Sequence, residues 1–116
     1  MKKRILSIVF LMVFILAIPA QAASSRAVTV NPVLNIEGTT ANCAVLIFGD
    51  NADDEIYAVI KLWKGSSCIK TWIEEETFYL NFKDTVRVSK GNYTLTVDAT
   101  INGQKEPQVS ISDTCN

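Results

Sequence analysis

From Tyr93 to Ile101 the chain alternates without a slip. Tyr93, Leu95, Val97, Ala99 and Ile101 fall on one side of an extended backbone, and Thr94, Thr96, Asp98 and Thr100 on the other. A period of two belongs to a strand that buries one face and wets the other. Asn102-Gly103 follows at once. This dipeptide is the strongest short hairpin signal, because both residues accept positive φ. A lone strand and turn are not stable in water, so the rest of the chain must supply neighbouring strands and an opposing apolar layer.

The remaining segments fit that demand. Ala27 to Ile36 is a β-favouring run interrupted by Asn31-Pro32, which is tolerable on an edge strand or at a bulge but not in a central strand. Thr40 to Phe48 is nearly all apolar and reads as a central strand. Gly49 to Asp54 is an acidic turn region. Glu55 to Trp63 alternates again, with Ile56, Ala58, Ile60 and Leu62 against Tyr57, Val59, Lys61 and Trp63. Lys64-Gly65-Ser66 turns the chain into Cys68 to Ile73, and Glu74-Glu75-Glu76 interrupts. In Thr77 to Phe82 the residues Phe78, Leu80 and Phe82 share a face, and Val86 and Val88 keep that parity. Lys90-Gly91-Asn92 reads as a turn, and Val109 and Ile111 carry the last strand. About seven short strands punctuated by turns predict an all-β antiparallel sandwich. A helix over residues 53–64 is opposed by its β-branched and aromatic content.

The N-terminus has a different character. Lys2, Lys3 and Arg4 precede the apolar run Ile5 to Ile18, in which Ser7 is the one polar residue; Pro19 and then Ala20-Gln21-Ala22 follow. A cationic head, an apolar stretch and a small-residue cleavage site are the parts of a secretory signal peptide. The run is shorter than the roughly 18 to 20 apolar residues that span a bilayer. Residues 1–22 are therefore expected to be an export signal and 23–116 a single domain, secreted or held at the cell surface, touching the membrane only through the transient signal. Removing Lys2, Lys3 and Arg4 leaves 8 basic against 12 acidic residues. That balance argues against nucleic-acid binding, which needs clustered Lys and Arg. The chain has no histidine, which removes Ser-His and Cys-His catalysis and His-ligated zinc.

The stretch Val88-Ser89-Lys90-Gly91-Asn92-Tyr93-Thr94-Leu95-Thr96-Val97 resembles the E–F corner of immunoglobulin-like and fibronectin type III domains. The resemblance implies that Gly91 supplies the turn, that Leu95 and Val97 make core contacts, and that the Tyr93 hydroxyl bonds back to upstream backbone. An ordinary hairpin with an inward aromatic is the plainer alternative. More widely, Thr40-Ala41-Asn42-Cys43, Lys61-Leu62-Trp63-Lys64-Gly65-Ser66, Lys70-Thr71-Trp72 and the Tyr93 strand resemble a group of short exported proteins of Gram-positive bacteria with an Ig-like sandwich. That resemblance implies a fold and an extracellular address, and no activity.

Cys43, Cys68 and Cys115 all follow the signal. An exported chain can form disulfides, and an odd count leaves a thiol or an intermolecular bridge. In a seven-strand sandwich the three fall towards one end. Cys43 with Cys115 is the expected pair, Cys43 with Cys68 the alternative, and three separate thiols the third possibility. Closure entropies of about 3.5 kcal/mol for 43–68 and about 4.4 for 43–115 are too close to choose between. The unpaired cysteine could link a dimer. As a nucleophile it lacks a base, and zinc lacks a closely spaced cysteine pair.

Asp50, Asp53 and Asp54 put oxygen ligands in one loop, a weak calcium candidate against the commoner solvated turn. Glu74-Glu75-Glu76 reads as a charge-protected strand end. Parity turns Tyr57, Lys61 and Trp63 outward together, and Trp63 has more claim to solvent than Trp72. A tryptophan filling the core is the alternative. The expected function is a non-catalytic binding module without cofactor, using Tyr57, Lys61 and Trp63 against a protein or glycan at the cell exterior. The rivals are an assembly subunit joined through an edge strand or free cysteine, a calcium-stabilised module, and a small hydrolase, for which the sequence offers no catalytic constellation.

Overall fold

The computed structural model describes residues 28–116. The expected export signal, 1–22, lies outside them. The described chain is all β: β1 Thr29–Glu37, β2 Thr40–Phe48, β3 Glu55–Lys64, β4 Ser67–Thr77, β5 Tyr79–Arg87, β6 Gly91–Ile101, β7 Gln104–Lys105 and β8 Val109–Cys115. Two antiparallel sheets face each other. The smaller has the order β1-β2-β5; in the larger, β4-β3-β6 continues to β7 and β8, which both pair with β6.

Burial follows the alternation. Ala41, Cys43, Val45 and Ile47 of β2 point inward, opposite Ile56, Ala58, Ile60 and Leu62 of β3 and Leu95, Val97, Ala99 and Ile101 of β6. The central strands carry the longest buried rows because both of their neighbours shield them. The edge strand β1 tolerates Pro32 within it, paired with Val45, since its outer edge has no ladder bond to lose.

Four local expectations need correction. The strands of the described residues number eight, because the hairpin at Asn102 and Gly103, with φ of 52° and 81°, closes onto the two-residue β7. Glu74-Glu75-Glu76 does not interrupt β4, which runs on to Thr77. β4 is an edge strand with β3 as its ladder partner, so its glutamates reach water while the backbone stays paired. The break falls instead at Phe78, whose φ is 72°. Phe78 consequently leaves the face shared by Leu80 and Phe82. Gly91 opens β6 rather than lying in the preceding turn, and its φ of 151° requires a residue without a side chain.

The cysteine pairing also needs correction, for all three residues are free thiols. Cys43 is buried on the inner face of the middle strand β2, three residues, or about 10 Å of strand, beyond Thr40. The Cys115 thiol lies under the β1–β2 turn and donates to the Gly38 carbonyl at 3.2 Å. Cys68 is exposed on the outer face of the larger sheet, beside Thr71 Oγ1 at 3.4 Å. A whole sheet separates it from Cys43, which rules out the Cα approach of under about 7 Å that a disulfide needs.

Candidate functional site

The outer face of the larger sheet carries Tyr57, Val59, Lys61 and Trp63 of β3. Their ladder partners are Thr100, Asp98, Thr96 and Thr94 of β6, and Glu75, Ile73, Thr71 and, across a bulge, Cys68 of β4. Directly opposed residues share a face, so the register assembles one surface from three strands. β8 extends it with Ser110 and Ser112, opposite Thr96 and Thr94.

The three expected contact residues do come to this face together. Tyr57 is 39% exposed. Trp63 is half-buried: its indole N–H donates to Thr96 Oγ1 at 3.0 Å, which draws the ring towards β6. The Lys61 ammonium stands 5.8 Å from the Trp63 ring centroid, within cation–π range. Tyr57 and Lys61 are four residues apart on one strand, roughly 13 Å. The result is a shallow surface with an aromatic group at each end, a cation over one of them, and hydroxyls alongside. The Thr94 and Ser112 hydroxyls meet at 2.9 Å. Ile73, 58% exposed, is the most exposed large apolar residue of the described chain and lies beside Val59. Below Tyr57 an open cleft of about 600 Å³ is lined by Glu55, Glu75, Glu76, Thr100 and Asn102.

Trp72 takes the opposite face. It sits at the seam between the sheets, with its ring 5.1 Å from that of Phe82 and its indole N–H donating to Asp84 Oδ2 at 2.8 Å. That bond, with the Thr85 amide next, holds the Asp84 carboxyl below the usual carboxylate range.

The acidic loop holds itself together. Asp54 is buried, and its Oδ2 accepts the backbone N–H groups of Asp50 and Asn51 at 2.8 and 3.0 Å. Its Oδ1 accepts the Asn102 amide at 2.8 Å. Asp50 and Asp53 are exposed. Asp54 thus ties the β2–β3 loop to the β6–β7 turn, a job that composition alone did not separate from metal binding. Among the described residues no group of three or more Asp, Glu, Cys or His side chains is placed to hold a metal ion.

Tyr93 is buried, and its hydroxyl donates to the Ser89 carbonyl at 2.7 Å while accepting the Ser89 N–H at 3.1 Å. The Cys43 thiol is pushed up to about 11 by burial and secondarily by Asp84, so it stays protonated and poorly nucleophilic at neutral pH.

Sequence reasoning missed a second aromatic group. Phe48, Phe78 and Tyr79 are 40%, 41% and 48% exposed. Phe48 stacks on Tyr79 at 5.8 Å, and Phe78 meets Tyr79 edge-on at 6.4 Å. The visible clue was Phe78-Tyr79, two consecutive aromatics, one of which must leave the core face of a strand. No protein-family model matches the chain, and no curated protein matches its sequence.

Proposed function

We propose that this chain is an exported, non-catalytic binding module with an Ig-like sandwich, and that the outward face of β3 contacts a protein or glycan outside the cell. One observation carries the binding surface: Tyr57, Lys61 and Trp63 lie on a single solvent-facing sheet surface, with the Lys61 ammonium 5.8 Å from the Trp63 ring. Half-exposed aromatic groups flanked by hydroxyls and a cation suit stacking against sugar rings or apolar side chains, with hydrogen bonds to fix orientation.

The Ig-like reading is supported by the two bonds between Tyr93 and the Ser89 backbone, the arrangement of a tyrosine corner. It is also supported by strand order. With β1, β2 and β5 as strands A, B and E, and β3, β6 and β8 as C, F and G, β4 joins strand C rather than E. The export reading rests on the residues of the N-terminal segment.

A screen of cell-wall glycans and surface proteins against the purified domain tests the surface. Trp63→Ala and Tyr57→Ala should each weaken capture while leaving the thermal transition cooperative. Capture unchanged in both variants removes this face from consideration. A second reading, assembly through a disulfide, is favoured by one observation: Cys68 alone of the three thiols is exposed, and it lies on an edge strand. Oxidation without reductant should then give a covalent dimer that Cys68→Ser abolishes.

A further inference from the structure

We propose that the end of the sandwich bearing Phe48, Phe78 and Tyr79 is a second docking surface, and that its occupant is a cationic peptide segment rich in lysine or arginine. The rings are contributed by the end of β2, the β4–β5 junction and the start of β5, which converge there through the pairing of Phe48 with Tyr79. Phe78 does not belong to the buried core. Its backbone nevertheless holds a φ of 72°, a region that bulky side chains rarely enter.

Two main-chain bonds keep it there. The Phe78 N–H donates to the Asp54 carbonyl at 2.7 Å, and the Phe78 carbonyl accepts the Gly49 N–H at 2.7 Å. A glycine at this position could make both bonds without strain. The phenyl ring lies outside the buried core, 41% exposed, with its edge-on contact to Tyr79.

Charge selects the occupant. Asp50 and Asp53 are exposed on the loop that follows Phe48, and Glu76 two residues before Phe78; Glu76, with Glu55, also lines the cleft below Tyr57. Along β5 the nearest cation is Lys83, four residues from Tyr79 and roughly 13 Å away. Aromatic faces attract ammonium and guanidinium groups, and the methylene stems of Lys and Arg cover apolar rings while their heads reach carboxylates. An anionic membrane would meet these carboxylates as like charges, and a neutral glycan would leave them unused.

The test is titration of the purified protein with decalysine, followed by calorimetry and by chemical shifts. Shifts centred on Phe48, Phe78 and Tyr79 are expected. Phe78→Gly, which also relieves the backbone, and Tyr79→Ser should each weaken binding roughly 5-fold, the range of an exposed cation–π contact. Trp63→Ala, on the other surface, should leave decalysine binding unchanged, so the two surfaces fail independently. Equal affinity in Phe78→Gly and Tyr79→Ser would show a polycation held by carboxylates alone and overturn the proposal. It would also be overturned if these rings bound cellohexaose or phosphatidylglycerol vesicles in preference to decalysine, or if they mediated self-association.

Discussion

The two seams where the sheets meet are latched differently. At the β1–β8 seam, Asp113 of one sheet accepts the backbone N–H of Ile36 in the other at 2.8 Å, and the Cys115 thiol reaches the Gly38 carbonyl. At the β4–β5 seam, Asp84 accepts an indole N–H from Trp72, and the rings of Trp72 and Phe82 make the apolar contact. One latch grips main chain and the other grips a side chain. A main-chain latch fixes strand position directly, whereas the side-chain latch ties the middle of β4 to β5 through one rotamer, the end of β4 being held by the main-chain bonds at Phe78. β4 also carries the exposed Cys68 and Ile73. The seam held through a side chain thus carries the exposed thiol with Ile69 and Ile73, whereas the seam held through main chain exposes Val33 on β1.

The largest expected effect is from Trp72→Ala. It should cost about 2 kcal/mol, less than a fully buried aromatic deletion because the ring is half-exposed, and the unfolding midpoint in urea measures it. Amide exchange should accelerate in β4 and leave Ile36 protected; equal acceleration at both seams would erase the distinction.

Cys43, the ladder partner of Asp84, gives an alkaline test. Its raised folded value means that its contribution is complete below the unfolded value of 9.0 and is lost as pH rises through about 11. Cys43→Ala should flatten the fall in stability over that window, at a cost of about 1 kcal/mol at neutral pH for the smaller side chain. The check is a pair of urea titrations across the window.

Acid tests both latches. The Asp84 and Asp113 carboxyls lie below the ordinary value of 3.8, Asp113 through the Ile36 and then the Thr114 amides. Depressed carboxyls contribute stability above 3.8 that is lost as pH falls through their folded values. Asp113→Ala should release the Ile36 amide to exchange and shorten the protected part of β1, whereas Asp84→Asn should mainly remove its share of the acid dependence. The smallest effect is chemical: a thiol reagent should modify Cys68 in the native protein and reach Cys43 and Cys115 after unfolding. Fast native modification of Cys115 would mean that the β1–β8 seam opens.

Much of the scaffold was legible because alternation is a local property. The inward and outward rows of β3 and β6 needed only a period of two, and so did the co-location of Tyr57, Lys61 and Trp63. The end of β4 was not legible. Glu74-Glu75-Glu76 looks like a break until β4 is known to be an edge strand. The true break, at Phe78, has no glycine, proline or asparagine to mark it. The role of Asp54 was hidden for a related reason: an acidic run looks alike whether its carboxylates face water or cap a loop.

The sequence by itself determined the fold class, the facing of the long strands and the Asn102-Gly103 turn, since each follows from backbone geometry over a few adjacent residues. Tertiary structure alone decided which cysteines are kept apart, which aspartates latch the seams and which aromatics gather at the Phe78 end. Those outcomes depend on strand order and on contacts between residues such as Ile36 and Asp113, 77 positions apart. Local pattern constrains which way a side chain faces, and only the packing of the two sheets sets what it meets.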